Sequence, residues 1–377
     1  MIIGVDIRHL CAPTITGVPR YTLELLHELF LLDPTTQWVL FASGRKMALK
    51  RLPYFPEKNV SLCTHLLPNK LVNAKILLGK NLEDFCTRKP DIWFFPNQNI
   101  IRTRLPYVLT VHDVSFRIFP EFFSYKSRLW YALTHFETLL KNAAHLITVS
   151  ESTAHDLSSI FSIPKEHMSA IPLGYEKQYQ PTVKPSDESY LRNYKIEKPY
   201  FLSLATLEPR KNILGILEAY ELFCAESKRK IDLVFAGGSG WRTKSFLDRV
   251  RHSPHQKQIH VLGYLRDQER SAFYRHAEAF LFPSFYEGFG LPVLEALASG
   301  TPVITSPVSS IPEVAKDAAI YVDPYLVSDI AEAMRLVSTD PLLQNALRKK
   351  GPQIAHSFSW KSTAEATLTI LRKAAKI

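Results

Sequence analysis

Residues Pro283–Gly300 read PSFYEGFGLPVLEALASG, and the fold can be argued outward from them. Ahead of this stretch, Ala277–Phe282 (AEAFLF) is an apolar run stopped by Pro283, the pattern of a buried strand. Behind it, Thr301–Thr305 (TPVIT) reads as the next strand. In between, Gly288 and Gly290 permit backbone angles closed to other residues, Pro292 suits a first helical turn, and Gly300 suits the position just past a helix end. The segment is strand, glycine loop, helix, strand. Glu287 then falls in the loop and Glu295 one turn into the helix, so both are expected to border the space above the helix N-terminus. Unpaired N–H groups and the positive end of the helix dipole make that space an anion site. Carboxylates cannot grip a phosphate, but they can accept hydrogen bonds from sugar hydroxyls beside one. The plainer alternative is a loop glutamate and a helix-surface glutamate with no shared task.

The 377 residues suffice for two domains, each with its own core. With 46% hydrophobic and 22% charged residues the composition is globular, which sets aside disordered and fibrous classes. No run of eighteen apolar residues predicts a membrane span, and Asp6 and Arg8 interrupt the apolar start before a signal-peptide core can form, so a cytoplasmic protein is expected. Cys11, Cys63, Cys86 and Cys224 are scattered without a C-x-x-C pair and read as reduced thiols, neither a disulfide frame nor a zinc site. The net charge of +10 calls for an anionic partner: a phosphorylated small molecule, a membrane surface or nucleic acid. With cations along the whole chain and no nucleic-acid motif, nucleic acid ranks last.

From the N-terminus, strand-like and helix-like stretches alternate, as a parallel sheet covered by helices requires. Ile2–Ile7 is the first predicted strand, followed by the loop HLCAPTITGVPR and a helix with Leu23, Leu26, Leu29 and Phe30 at helical spacing. Gly17 and Arg20 of that loop are candidates for touching an acceptor or a phosphate, against the alternative of a turn-shaping glycine and a solvated arginine. Later strands are read at WVLFA, VSLCTHL, DIWFFP, YVLTVHD and HLITVS. YVLTVHD delivers His112 and Asp113 to the carboxyl edge of the sheet, where open α/β sheets bind ligands. Asp113 is expected either to orient the imidazole or to cap the next turn. Phe116–Leu133 interleaves aromatic and basic residues, and Gly44–Leu52 (GRKMALKRL) adds a second basic patch. The pair reads as a peripheral contact with anionic membrane or, more plainly, as a helix whose aromatics are core.

The pattern dissolves over 181–198, the expected linker, and resumes at Tyr200–Ala205 (YFLSLA). The turn TLEPRKN follows, with Asn212 expected to cap the next helix and Arg210 and Lys211 at its mouth as a diphosphate site. Gly237 and Gly238 end the strand DLVFA, and Tyr264 and Leu265 follow VLG; these turns are expected to lie against a nucleobase. Ser239, in GGSGW, lacks the spacing of a hydrolase nucleophile. There is no P-loop, no G-x-G-x-x-G and no Asp-x-Asp metal pair.

EGFGLPVLE, with seven residues between its glutamates, resembles the signature of retaining glycosyltransferases of family 4, closely over the second half of the chain and loosely over the first. The resemblance implies an α/β protein of GT-B fold, two Rossmann-like parallel-sheet domains facing each other across a cleft. They would span 1–180, completed by a C-terminal helix over 361–377, and 199–360. It further implies transfer of a hexose from a nucleotide sugar to a glycan or lipid-linked glycan, with retention of configuration and neither a cofactor nor a metal. By residue, it implies that Lys211 contacts the donor diphosphate, Glu295 the ribose, Glu287 the transferred sugar, and the backbone of Gly288, Phe289, Gly290 and Leu291 the phosphates and sugar, with His112 facing the sugar and the acceptor. Where many members have Gly-Arg, this chain has Ala205-Thr206, and Arg210 is the candidate for the missing cation. The phrase TLEPRKN, the His-Asp pair and EGFGLP look like those of bacterial mannosyl- and rhamnosyltransferases of polysaccharide assembly, so GDP-mannose is the first expected donor. A glycoside hydrolase or phosphorylase, and a catalytically silent partner subunit, remain as alternatives.

Overall fold

The computed structural model describes residues 1–12, 16–197, 199–238, 240 and 243–376. They form two compact units, one of 1–174 with 359–377 and the other of 175–358. In the first, seven strands are seen among the described residues: β1 Ile2–Asp6, β2 Gln37–Ser43, β3 Val60–His65, β4 Ile92–Phe95, β5 Tyr107–Val111, β6 His145–Thr148 and β7 Met168–Ala170. They pair in parallel in the order β3-β2-β1-β4-β5-β6-β7. The second unit holds β8 Tyr200–Leu204, β9 Asp232–Ala236, β10 Ile259–Val261, β11 Ala279–Phe282, β12 Val303–Thr305 and β13 Ala319–Tyr321. These are parallel in the order β10-β9-β8-β11-β12-β13.

Covered on both faces, the central strands read as continuous apolar runs: every residue of β4, β5, β8, β9 and β11 is buried. Each sheet reverses its winding once, at β1/β4 and at β8/β11, and such a reversal opens a crevice at the carboxyl ends of the strands. The turns after β8 and β11, where the sequence places Arg210, Lys211 and Glu287, are therefore neighbours.

The stretch 181–198 is not a structureless linker. It contains the helix Asp187–Asn193, and it belongs to the second unit from Tyr175 onward. The cause is an ion pair that local sequence cannot show: Arg275 grips Asp187 with two hydrogen bonds of 2.6 and 2.7 Å, and both side chains are 1% exposed. The Tyr179 ring, also buried, packs edge-on against Tyr274. The C-terminal helix Trp360–Ala374 lies in the first unit against the helix Gly17–Leu32, with Arg372 donating to Asp33 at 2.8 Å and Thr363 to the Pro172 carbonyl at 2.7 Å.

Removing one member of a buried ion pair strands the other. Asp187→Ala is expected to lower the stability of the second unit by about 3–5 kcal/mol, read from urea unfolding; an unchanged midpoint would contradict this account of the 175–197 segment.

Candidate functional site

The site is built where β8 and β11 end. After β8 the chain makes one tight turn, Pro209–Lys211, and enters the helix Ile213–Glu226 through Asn212 in the left-handed region at φ 55°. Asn212 does not cap that helix as expected. Its side-chain amide donates to the Pro324 carbonyl at 2.7 Å, tying the turn to the segment that leaves β13.

Lys211 Nζ donates to Glu287 Oε1 at 2.5 Å, and Arg210 Nη1 lies 3.1 Å from Glu287 Oε2. Arg210 also donates to the Tyr286 carbonyl at 2.7 Å and to Glu208 at 2.9 Å, and its own carbonyl accepts from Phe285 N. Glu287, expected as an open acceptor beside the helix, is instead the buried counterion of both cations, 6% exposed. Burial alone would push its carboxyl up, but Arg210 and Lys211 outweigh burial and hold it below its ordinary value. Burial and the adjacent guanidinium push the Lys211 ammonium down.

The glycine loop is pinned from the other side, where Glu287 N donates to Ser309 Oγ and Ser310 Oγ to the Glu287 carbonyl, both at 2.9 Å. Gly290 adopts φ 100°, and a Cβ there would come within 2.7 Å of Ile311 Cδ1. The helix Leu291–Ala298 starts from it with Pro292 in its first turn and no side-chain cap, so its N-terminus faces the loop undecorated. Gly300, at φ 70°, follows the helix end.

Glu295 does not share a partner with Glu287. It is 2% exposed, and its Oε2 accepts from Arg270 at 2.6 Å and from the Tyr274 hydroxyl at 3.1 Å. Arg270 and Tyr274 lie four apart on the helix Asp267–His276 and so present one face. Sequence reasoning missed both; their i, i+4 spacing just ahead of β11 was the available signal.

Gly237 is required by the packing of the protein itself. At φ 138° its Cβ would stand 1.9 Å from the Ala205 carbonyl oxygen, its N–H donates to Gly263 O at 2.7 Å, and Gly238 O accepts from Leu207 N at 3.0 Å. The close approach is to protein backbone, sewing three turns together, while Gly238 itself faces open space. Tyr264 is 41% exposed and the Leu265 side chain is core. Phe289 is buried edge-on against Phe358, and Leu291 is half-buried. Ser239 lies outside the described residues, as do 13–15 of the loop before Gly17.

In the first unit, His112 follows β5 directly. Its Nε2 is 2.8 Å from the Pro96 carbonyl, and its ring meets Tyr21 edge-on at 4.7 Å. A carbonyl only accepts, so Nε2 carries the hydrogen and Nδ1 is left as the acceptor. Burial lowers the pKa of this imidazole and keeps it neutral. Asp113 does not orient the ring; it caps the turn Ser115–Ile118, accepting from Ser115 N and Oγ at 2.9 and 2.6 Å. A second histidine was overlooked. His9, after β1, sits 2.8 Å from Thr22 Oγ1 and is lowered to about 4 by burial. Gly17 opens the helix Gly17–Leu32 in free space, and Arg20, four residues in, is buried rather than solvated.

Comparison with known proteins matches this architecture. Residues 188–354 fit the family Glycosyl transferases group 1, and residues 15–179 fit Glycosyltransferase Family 4. O-antigen chain mannosyltransferase B of Escherichia coli is 30% identical over 365 residues, covering 94% of this chain and 95% of its own. The chain belongs to glycosyltransferase family 4. Its GT-B fold is shared with sucrose-phosphate synthase from Thermosynechococcus elongatus (TM-score 0.79, 18% identity, 99% and 98% of the two chains). It is shared also with Anabaena HepE in complex with UDP-glucose (TM-score 0.74, 15% identity, all of both chains). In this family-4 glycosyltransferase, Ala205-Thr206 follow β8, and the Ala205 carbonyl oxygen lies against Gly237.

The ion cluster has a pH signature. A carboxyl held below its ordinary value contributes stability that is complete above that value and is lost as pH falls through the depressed one. The melting-temperature gap between the parent and Glu287→Gln should thus be full near neutrality, worth about 3–5 kcal/mol, and should shrink as the pH drops below 4.5. A gap independent of pH would show that Glu287 is not ionised in the cluster.

Proposed function

We propose that this enzyme transfers mannose from GDP-mannose to a glycan or lipid-linked glycan during cell-surface polysaccharide synthesis, with retention of configuration and without a metal. The observation that carries the reading is the meeting of Arg210, Lys211 and Glu287 at the β8/β11 reversal, beside a helix N-terminus with no side-chain cap. The relatedness to an Escherichia coli O-antigen mannosyltransferase over nearly the whole of both chains supports the choice of sugar.

The breaking bond joins the anomeric carbon to the diphosphate oxygen, and the forming bond joins that carbon to an acceptor hydroxyl. Negative charge collects on the leaving diphosphate. Lys211, Arg210 and the helix N-terminus neutralise it; each well-placed donor is worth about 3–4 kcal/mol in the transition state. The acceptor proton goes to the departing phosphate oxygen on the same face, which accounts for retention without an enzymic nucleophile. Glu287, ionised, keeps both cations in place before substrate arrives and accepts from sugar hydroxyls. Glu295 offers Oε1 to the ribose while Arg270 and Tyr274 hold Oε2. His112, its Nε2–H engaged by Pro96, offers Nδ1 to a hydroxyl of the sugar or acceptor, and Gly17 and Arg20 border the acceptor side. The turns at Gly238 and Tyr264 receive the base.

The test is nucleotide release from a panel of nucleotide sugars, with and without chelator. GDP-mannose should release GDP equally in both, and Lys211→Ala and Glu295→Ala should each slow release at least about tenfold, ~1.4 kcal/mol. Wild-type rates in either variant would remove that residue from the site.

The enzyme's acceptor side is further proposed to meet an anionic membrane. Although cations run along the whole chain, their excess does not: residues 44–142 contain sixteen Lys and Arg against seven Asp and Glu, nearly all of the +10. The helices Lys46–Leu49 and Tyr125–Leu133 bury none of their residues, and Met47, Tyr54, Leu78 and Tyr125 are between 68% and 88% exposed. No described helix is long and apolar enough to cross a membrane. The enzyme should float with phosphatidylglycerol vesicles at low salt and be released by high salt, since exposed charges are screened; recovery in the soluble fraction at low salt would end the proposal.

A further inference from the structure

Two thiols meet in the first unit where their sequence separation gives no sign of a pair. Cys63 lies on β3, the edge strand of the sheet, and Cys86 follows the single turn Leu82–Phe85; their Sγ atoms are 3.0 Å apart. His65 is two residues on from Cys63 and therefore on the same face of the strand. Its Nε2 is 2.7 Å from the Phe85 carbonyl and 3.7 Å from Cys63 Sγ. Because the carbonyl can only accept, that nitrogen carries a hydrogen, and the N–H stands beside the sulfur. Cys63 is half-buried and Cys86 buried. The hydrogen shared with Cys86 and the neighbouring imidazole pull the Cys63 thiol below its ordinary value, against the upward push of burial. The same shared hydrogen, together with burial, drives Cys86 up. With the His65 N–H beside it and its side chain half-buried rather than buried, Cys63 is the sulfur better placed to attack, and Cys86 stands within reach to follow.

We propose that Cys63 and Cys86 form a redox modification site, closed to an intramolecular disulfide by small disulfides of the glutathione class. In the first step the Cys63 thiolate attacks one sulfur of the small disulfide and expels its other half as a thiolate. In the second, Cys86 gives up its proton and attacks Cys63 Sγ, expelling the remaining half. The protein loses two electrons and two protons, and the small disulfide leaves as two thiols. An excess of small thiol runs both steps backward.

The bridge would close the loop 63–86, which carries the helix Asn69–Leu77 and the exposed Leu66, Leu71, Leu77 and Leu78. It thereby ties down one apolar part of the basic first-unit segment. The bridge itself does not depend on the sugar chosen or on membrane contact, so its failure leaves those readings standing.

The experiment equilibrates the whole protein in mixtures of oxidised and reduced glutathione and then blocks the remaining thiols. Four free thiols in the reduced protein should fall to two, with dithiothreitol restoring four. Trypsin cleavage at the exposed Lys70, Lys75 or Lys80 should leave fragments joined on a non-reducing gel and separate on a reducing one. Cys63→Ser and Cys86→Ser should abolish the linkage, whereas Cys11→Ser and Cys224→Ser should keep it. If either of the first two variants fails to fold, the peptide map of the parent decides alone. Four thiols persisting in the most oxidising mixture, a bridge mapped to another pair, or a lasting glutathione adduct on Cys63 would each overturn the proposal.

Discussion

The second unit turns on one buried carboxylate held between two cations. Glu287 draws the turn after β8 and the loop after β11 together, and each charge is tolerable in the interior only because the other two are present. Everything around the cluster limits its freedom. Phe285 and Tyr286 bond through backbone to Arg210, Ser309 and Ser310 clamp Glu287 from behind, and the Lys211 ammonium rests 4.8 Å over the Phe282 ring. Under the proposed function, a donor diphosphate arriving here would meet cations already oriented, so little reorganisation would accompany charge development.

What could be read from sequence was whatever depends on neighbours along the chain. The strands at Ile2, Tyr107, Tyr200 and Ala279 follow from apolar runs, and the loop–helix join at Gly290 and Pro292 from the backbone demands of those two residues. What could not be read was which side chains meet across elements. Asp187 looked like a linker residue because its partner Arg275 is 88 residues away. Asn212 looked like a cap because nothing nearby hinted at the Pro324 carbonyl. Glu295 was read against the helix N-terminus, yet its partners sit on the preceding helix. At Gly237 the glycine is visible in the sequence, but its contact with the Ala205 carbonyl, 32 residues earlier, is not.

The first unit repeats the lesson at His112. Its position after β5 was legible from strand polarity, whereas its tautomer is set by Pro96, sixteen residues away, and its tilt by Tyr21. His9 carries no sequence signal of its own, although the end of β1 lies just across β4 from the end of β5. Two neutral imidazoles at one sheet edge are suited to exchanging hydrogen bonds with hydroxyls, since a neutral ring can both donate and accept.

The unequal distribution of charge along the chain has a kinetic side. With nearly all of the +10 confined to 44–142, the remaining residues are close to neutral, so the charge is lopsided with respect to the mass. A lopsided body near an anionic surface experiences a torque within a Debye length, about 8 Å at physiological ionic strength. Under the membrane contact proposed above, such a molecule would turn before it touches, and productive encounters would become a larger share of collisions. On that proposal, orientation, ordinarily a matter of chance for a diffusing enzyme, follows from where acidic residues are outnumbered.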